Sequence, residues 1–307
     1  MNVAVCIATY NRPKGLSALL SALNGQVFAD RRPDVRLIVV DNDSSGSARA
    51  VCDEIRRTGG WPLTYCIEPT RGIPYVRNRA VACAGSDVHF LAFIDDDEVP
   101  EPNWLDELLR VQHRYDADVV TGPVVRRFMT EVPAWIATSR FFDLPRRPTG
   151  SDMTVAMTNN TLARTQALHA IDGPFDVRLG LTGADDAHCF RRVHLAGFRI
   201  VWADDAIVYE SVPATRATLL WILRHAYRVG NAWGLIETDL NPSWKTRARV
   251  LAWSAARVAR GVILLPLGLA VGPRGFARAF YNIYYAGGLV ASLAGIHSEG
   301  YRTTDGA

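Results

Sequence analysis

At 307 residues, 49% hydrophobic and 21% charged, the chain can build one large domain or two modest ones and is too apolar to be disordered. Its five cysteines (Cys6, Cys52, Cys66, Cys83, Cys189) are scattered and form no C-x-x-C pair, which supports neither a zinc ribbon nor a disulfide framework and fits free thiols in a reducing cytosol. The net charge of +3 is uneven: residues 1–210 hold 23 Lys/Arg against 27 Asp/Glu, residues 211–307 hold 11 against 4, so an acidic front precedes a basic, apolar back.

The first apolar run, "VAVCIAT", lacks a basic flank and is too short for a signal peptide. It reads as a buried strand ending at Thr9, which leaves the bulk of the chain on the cytoplasmic side. Pro13 then opens a helix with Leu16, Leu19, Leu20 and Leu23 on one face. "VRLIVVD" is a second strand ending at Asp41, "ARAVCDEIRR" a helix, "LTYCIE" a third strand, "IPYVRNRAVACA" a third helix and "VHFLAFID" a fourth strand. Such alternation predicts an α/β fold with a mostly parallel sheet covered on both faces. Ligands of these sheets lie beyond the carboxyl ends of the strands, where Thr9, Asp41, Glu68 and Asp95 all fall.

Further on, "EPNWLDELLRVQHRY" predicts a helix with Pro102 near its first turn, "ADVVTGPVVRRF" a strand, residues 129–155 a loop and "TNNTLART" a short strand. "DDAHCFRRVHLAG" is a helix stopped by Gly197, and "FRIVWADDAIVYE" supplies two short strands. After residue 211 strands disappear. "RATLLWILRHAYRVGNAWGLIE" is a helix apolar all round; "VLAWSAARVARGVILLPLGLAVG" is broken by Arg257, Arg260 and Pro266. "AFYNIYYAGGLVASLAGIH" is uncharged over about the length of a membrane span yet rich in Gly, Ala and Tyr. The last two suit core helices, interfacial helices or a weak span.

The stretch "FIDDDEVP" carries the sharpest chemistry. On an extended strand end Asp95 and Asp97 point one way and Asp96 the other. One of the outer pair suits a sugar hydroxyl or a metal's water shell, the other a hard cation such as Mg²⁺. A solvated acidic turn before the next helix is the alternative. An EF-hand is excluded by the missing Gly and terminal Glu. A dinucleotide fold is excluded where it is most testable, because "ATYNRP" after the first strand has no G-x-G-x-x-G. Asp185 and Asp186 start a helix, where acids serve either a site or the helix dipole.

The segments "VCIATYNRP", "VVDNDSSG", "RGIPYVRN", "FLAFIDDDEVP" and "GADDAHCFRRVHLAGFRI" stand in the order and spacing of family-2 glycosyltransferases with the GT-A fold, which the chain resembles over residues 1–210. "RLGLTGADD", "VYESVPATRAT" and "LRHAYRVGNAWG" further resemble bacterial exopolysaccharide glucosyltransferases of the succinoglycan type. The resemblance implies that Thr9, Tyr10 and Arg12 line a nucleoside pocket, that Asp41 accepts from uracil N3–H, and that Arg71 and Arg77 line the nucleotide side with Asn78 supporting their loop. It assigns Asp95, with Asp96 beside it, to the ribose or metal shell, Asp97 to Mg²⁺ or Mn²⁺, Asp186 to the catalytic base and Asp185 to the acceptor hydroxyl. Two departures stand out. The usual Glu-Asp pair is Asp185-Asp186, and a frequent metal-binding His is replaced by Glu210.

The resemblance thus implies an inverting, metal-dependent transfer of a sugar, glucose by expectation, from a UDP-sugar to a lipid-linked oligosaccharide or saccharide acceptor in exopolysaccharide synthesis. Such a transfer requires a base for the attacking hydroxyl and cations for the departing diphosphate. Arg224 and Arg228, four apart on one helix face, are candidates for the diphosphate, Arg228 foremost. The histidines read mostly as surface or packing residues; His188, two residues after the expected base where the family often has an acid, is either another of these or a substrate contact. Arg247, Arg249, Arg257, Arg260, Arg274 and Arg278 punctuate apolar helices, which suits residues 211–307 to a helical region lying on the inner face of the cell membrane. No nucleic-acid partner is expected, and a homo-oligomer stays open. The rival readings are a sugar-nucleotide nucleotidyltransferase, which needs a Gly-rich basic loop after the first strand, and a non-catalytic sugar-nucleotide-binding protein.

Overall fold

The computed structural model describes residues 1–30, 32–139, 141 and 145–298. The four front runs form parallel strands β1 (Asn2–Thr9), β2 (Asp34–Asp41), β3 (Leu63–Ile67) and β4 (Phe90–Asp95). Between them lie α1 (Pro13–Asn24), α2 (Arg49–Thr58) and α3 (Ile73–Ala84). Register pairs Thr9 with Asp41 and Ala8 with Asp95, so the polar strand ends stand level along one edge.

β5 (Glu98–Pro100) follows β4 after a two-residue turn, and α4 (Trp104–Tyr115) follows β5. The expected strand "ADVVTGPVVRRF" is two strands, β6 (Val119–Thr121) and β7 (Val124–Phe128), in different sheets. The chain changes sheet at Gly122-Pro123. A Cβ on Gly122 would lie 2.5 Å from the Ala206 carbonyl oxygen, so only glycine permits this crossing. The fully buried Asn160 holds it, donating to the carbonyls of Pro123 (3.0 Å) and Ala206 (2.7 Å) and accepting from Trp104 Nε1 (2.8 Å).

The expected loop over 129–155 contains the short α5 (Ala134–Ala137) and β8 (Asp152–Met153); its residues 140 and 142–144 lie outside the described residues. β9 (Thr161–Arg164), α6 (Thr165–His169), α7 (Asp185–Leu195), β10 (Ile200–Trp202) and β11 (Val208–Val212) complete the front. The main sheet runs β3-β2-β1-β4-β9-β6-β10-β8, with β8 and β9 antiparallel to their neighbours. A small sheet, β5-β11-β7, crosses above its carboxyl edge and sets Glu210 opposite Glu98. Leucines of α1 and α4 cover one face of the main sheet, and α3, α6 and α7 cover the other. Each fully buried Leu or Phe contributes about 1.5–3 kcal/mol relative to exposure.

Three long helices follow: α8 (Leu219–Leu240), α9 (Trp244–Val271) and α10 (Pro273–Leu293). Thr218 and Ser243 cap α8 and α9 by accepting from Trp221 N–H and Thr246 N–H. α9 continues through Pro266 rather than breaking there; the proline removes one helical hydrogen bond. α8 and α10 pack backbone to backbone: a Cβ on Gly288 would stand 2.0 Å from the Tyr227 carbonyl oxygen, and one on Gly230 2.1 Å from that of Tyr285. The other side of α8 packs on α7 through Ile236, Ala184 and Ala187, so the back helices touch the front directly. No helix among the described residues is long and apolar enough to cross a membrane.

Candidate active site

The Asp95–Glu98 turn shows the alternation its sequence predicts. Asp96 points inward, accepting from Thr9 Oγ1 (2.8 Å) and Arg12 Nη1 (3.1 Å). Burial, reinforced by the charge of Asp97, pushes Asp96 up to about 7. Asp97 and Asp95 keep part of their side chains exposed to the cleft. Arg12 also contacts Asp97 at 2.8 Å. Burial works against the Arg12 charge, but Asp97 and Asp96 outweigh it and raise its pKa. Arg12 and Asp96 therefore clamp the β1 end to the acidic turn.

Tyr10 and Arg71, both expected on the nucleotide side, lie against each other. Arg71 donates to Tyr10 Oη at 2.6 Å and its guanidinium lies 4.4 Å from the Tyr10 ring centre. Asp41 does not present its carboxylate to the cleft. It is wholly buried and accepts from Asp43 N–H, Ala48 N–H and Tyr65 Oη, each at 2.9 Å. Asp41, for which the resemblance implies a uracil contact, also builds the loop after β2, because the "DNDSSG" turn leaves backbone donors that need an acceptor. Asn42 does similar work, donating to the carbonyls of Glu68 and Thr70 and accepting from Gly72 N–H.

Arg77 lies buried on α3, with Nη1 2.6 Å from Asp185 and Nη2 3.7 Å from Asp95. Asn78 next to it exchanges hydrogen bonds with the Phe175 backbone, supporting the loop before α7. Asp185 is 1% exposed, and its Oδ1 has no hydrogen-bond partner. Asp186, half-buried in the first turn of α7, is pushed up to about 6 by burial; Arg77 works against that shift and Asp185 adds to it. A carboxylate tuned there can take a proton near neutral pH.

Glu210 stands at the rim, paired with Arg126 and with Arg216 Nη1 at 3.2 Å. A metal ion at Glu210 would have to compete with these two guanidiniums for its oxygens. Arg228 is half-buried on α8 with its guanidinium 5.5 Å from the Trp221 ring centre, and Arg224 is exposed. His225 stacks on Trp221 and is lowered to about 3 by burial and by Arg228, Arg126 and Arg216, so it stays neutral. His188 does not reach the acidic turn. It is buried, with Nε2 3.0 Å from Asp239, in a separate cleft of ≈ 370 Å³ that includes Asp176 and Arg178.

The residues fit a divalent cation. Asp95 and Asp97 offer hard oxygen donors on the cleft side, and burial among neighbouring carboxylates raises Asp95 and Glu98, a repulsion that a cation relieves. Sequence reasoning missed Arg126 and Arg216. Both lie in segments read only as a strand and a resemblance motif, and neither has a spacing that marks it.

The parallel sheet, the acidic turn at its edge and the paired acids of α7 define a GT-A-type glycosyltransferase. The model of glycosyl transferase family 2 matches residues 4–172, and that of glycosyl transferase family group 2 matches residues 90–294; the chain belongs to family 2. It is similar to the succinoglycan biosynthesis protein ExoM of Rhizobium meliloti, with 32% identity over 83% of this chain and 80% of that one. It is also similar to a glucosyl-dolichyl phosphate glucuronosyltransferase of Haloferax volcanii, with 24% identity over 75% of each. Among solved structures it shares its fold with the mannosyltransferase PcManGT of Pyrobaculum calidifontis in complex with GDP-Man and Mn²⁺, at TM-score 0.64, 17% identity and coverage of 95% and 86%. S. aureus TarS in complex with UDP matches at TM-score 0.54, 17% identity and coverage of 96% and 92%.

Proposed function

We propose that the chain is an inverting glycosyltransferase moving a hexose, glucose foremost, from a UDP-sugar to a saccharide acceptor on a lipid carrier in exopolysaccharide synthesis. One observation carries this reading: Arg77 ties Asp185 beside Asp186 to Asp95, so base and donor-side acids form one rigid unit. The similarity to a succinoglycan biosynthesis protein favours the exopolysaccharide acceptor.

In this reading the acceptor hydroxyl oxygen bonds to the anomeric carbon while the bond from that carbon to the diphosphate oxygen breaks. The electron pair leaves on the diphosphate, and the hydroxyl proton passes to Asp186. Asp185, fixed by Arg77, orients that hydroxyl. Asp95 and Asp97 would hold Mg²⁺ or Mn²⁺, which supplies charge to the diphosphate. Tyr10 and Arg71 hold the nucleoside end, and Arg228 on α8 is a candidate for the leaving group. Residues 1–210 form the catalytic domain and 211–307 its helical extension. UDP with Mn²⁺ raises the melting temperature where CTP and dTTP do not, and UDP release in a donor screen with lipid extract identifies the sugar. Protection by CTP alone would turn the reading toward a nucleotidyltransferase.

The same reading places the protein peripherally on the inner membrane face. α9 exposes Leu251, Trp253, Val258, Val262 and Ile263 beside Arg247 and Arg260. Sedimentation with anionic vesicles tests this: Trp253→Ser with Ile263→Ser releases the protein, and equal binding by that variant sinks the membrane assignment.

A further inference from the structure

Glu210 stands at the metal rim in place of a nitrogen ligand, yet its oxygens face arginines. Arg126 on β7 contacts Oε2, and Arg216 in the β11–α8 turn lies 3.2 Å from Oε1. Arg216 also lies 3.9 Å from Asp97 Oδ2, on the acidic turn itself. The turn that carries it is closed by Arg216 N–H and Ala217 N–H donating to Pro213 and Ala214 carbonyls. Glu210 and Arg216 are 14% and 17% exposed, so solvent screens this pairing only weakly.

A glutamate fixed between two guanidiniums is a poor cation ligand, because a divalent ion there would meet like charge from both sides. The same arrangement suits a polyanion that enters beside Asp97. A diphosphate there would meet a guanidinium already aimed, with its entropy cost met in folding. Arg216 is placed for that contact, since its guanidinium reaches the acidic turn at Asp97.

We propose that Arg216 is a catalytic residue that binds the departing diphosphate, and that Glu210 is not a metal ligand but the positioning residue that aims Arg216. This rests on the nucleoside-diphosphate donor proposed above. When the bond from the anomeric carbon to the diphosphate oxygen breaks, Arg216 stabilises the negative charge left on that oxygen; no proton or electron is exchanged with Arg216.

The test compares equilibrium binding of UDP and of uridine, with and without Mn²⁺, in the full chain and in Arg216→Ala, Arg216→Lys and Glu210→Gln. Arg216→Ala weakens UDP about tenfold, leaves uridine unchanged and lowers kcat about 10²–10³-fold, the usual cost of one preorganised donor. Arg216→Lys recovers part of both losses. Glu210→Gln follows Arg216→Ala in direction with a smaller effect, and its Mn²⁺ midpoint stays within about twofold. Equal weakening of UDP and uridine in Arg216→Ala shows a merely structural residue and overturns the proposal. So does a Mn²⁺ midpoint shifted more than tenfold in Glu210→Gln, which makes Glu210 a ligand. If the unaltered chain binds no UDP, the donor reading alone fails, and the same series with GDP and guanosine decides the role of Arg216.

Discussion

Arg77 on α3 holds Nη1 2.6 Å from Oδ2 of Asp185 at the start of α7, and both side chains are almost wholly buried. The pair fastens the helix that carries the proposed base to the sheet edge that carries the acidic turn. A buried pair of this kind is costly to half-remove, because the survivor is left charged without a partner. Arg77→Ala is expected to destabilise by about 3–5 kcal/mol, whereas Arg77→Met with Asp185→Leu costs clearly less. Urea unfolding of the single and double variants measures this, and additive losses would contradict the coupling.

Asp186→Asn keeps the shape of the base and removes its basicity. Turnover should fall about 10²–10⁴-fold with donor affinity nearly intact. Stability should move the other way. Burial lifts the folded pKa of Asp186 to about 6, above the ordinary 3.8 of an exposed aspartate, so the ionised form is disfavoured by folding. That penalty is absent below pH 3.8, grows through pH 6 and is full above it. Asp186→Asn should therefore melt higher than the unaltered chain at pH 8 and equally at pH 3.5 or below, in scans run side by side.

The same group sets the acid limb of the rate. A base pushed up to about 6 must lose its proton before it can act, so kcat should rise with pH and level off above roughly 6. A limb centred near 4 in a full pH–rate profile would mean that the base is an unperturbed carboxylate elsewhere.

Asp97→Ala removes one oxygen donor of the acidic turn, while Arg12 keeps Asp96 and Arg216 keeps Glu210. Turnover should drop on the order of 10³-fold, and UDP affinity should lose its dependence on Mn²⁺. Calorimetric titration of UDP with and without Mn²⁺ checks this. A retained metal dependence moves the site to Asp95 alone.

Gly288→Ala brings a methyl to within 2.0 Å of the Tyr227 carbonyl oxygen unless the helices part. The cost expected for such overpacking is about 1–3 kcal/mol, seen as a lower melting temperature. Gly272→Ala, which meets nothing within 4 Å, costs stability through its φ of +74° alone and should leave the packing of α8 on α10 unchanged.

Much of the front half was legible because its signals are local. The apolar runs that end at Thr9, Asp41 and Asp95 have no polar interruption, so the strands and their common edge followed from the pattern. Asp95, Asp96 and Asp97 alternated as an extended end requires. The split of "ADVVTGPVVRRF" was hidden, since what bends the chain is Asn160, nearly forty residues away, gripping two carbonyls across the crossing. The internal partners of Asp41, Arg77 and Glu210 were hidden for one shared reason. A strand-end acid or a basic residue on α3 reads the same in sequence whether it faces a ligand or a buried partner, and only the fold decides. Pro266 misled in the opposite sense, as an exposed helix tolerates one missing hydrogen bond.

The close approach of α8 and α10 has a mechanical side. Side-chain interfaces yield a little under load, because rotamers can shift; two backbones in contact at Gly230 and Gly288 have no such compliance. α8 carries His225 and Arg228 toward the rim at one end and packs Ile236 on the base helix further along. A force applied to α10 is therefore delivered to the catalytic rim as a displacement of α8 rather than absorbed between them. The amides of α8 should exchange with deuterium as slowly as those of the central strands, and far more slowly than those of α9, whose outer side chains are exposed.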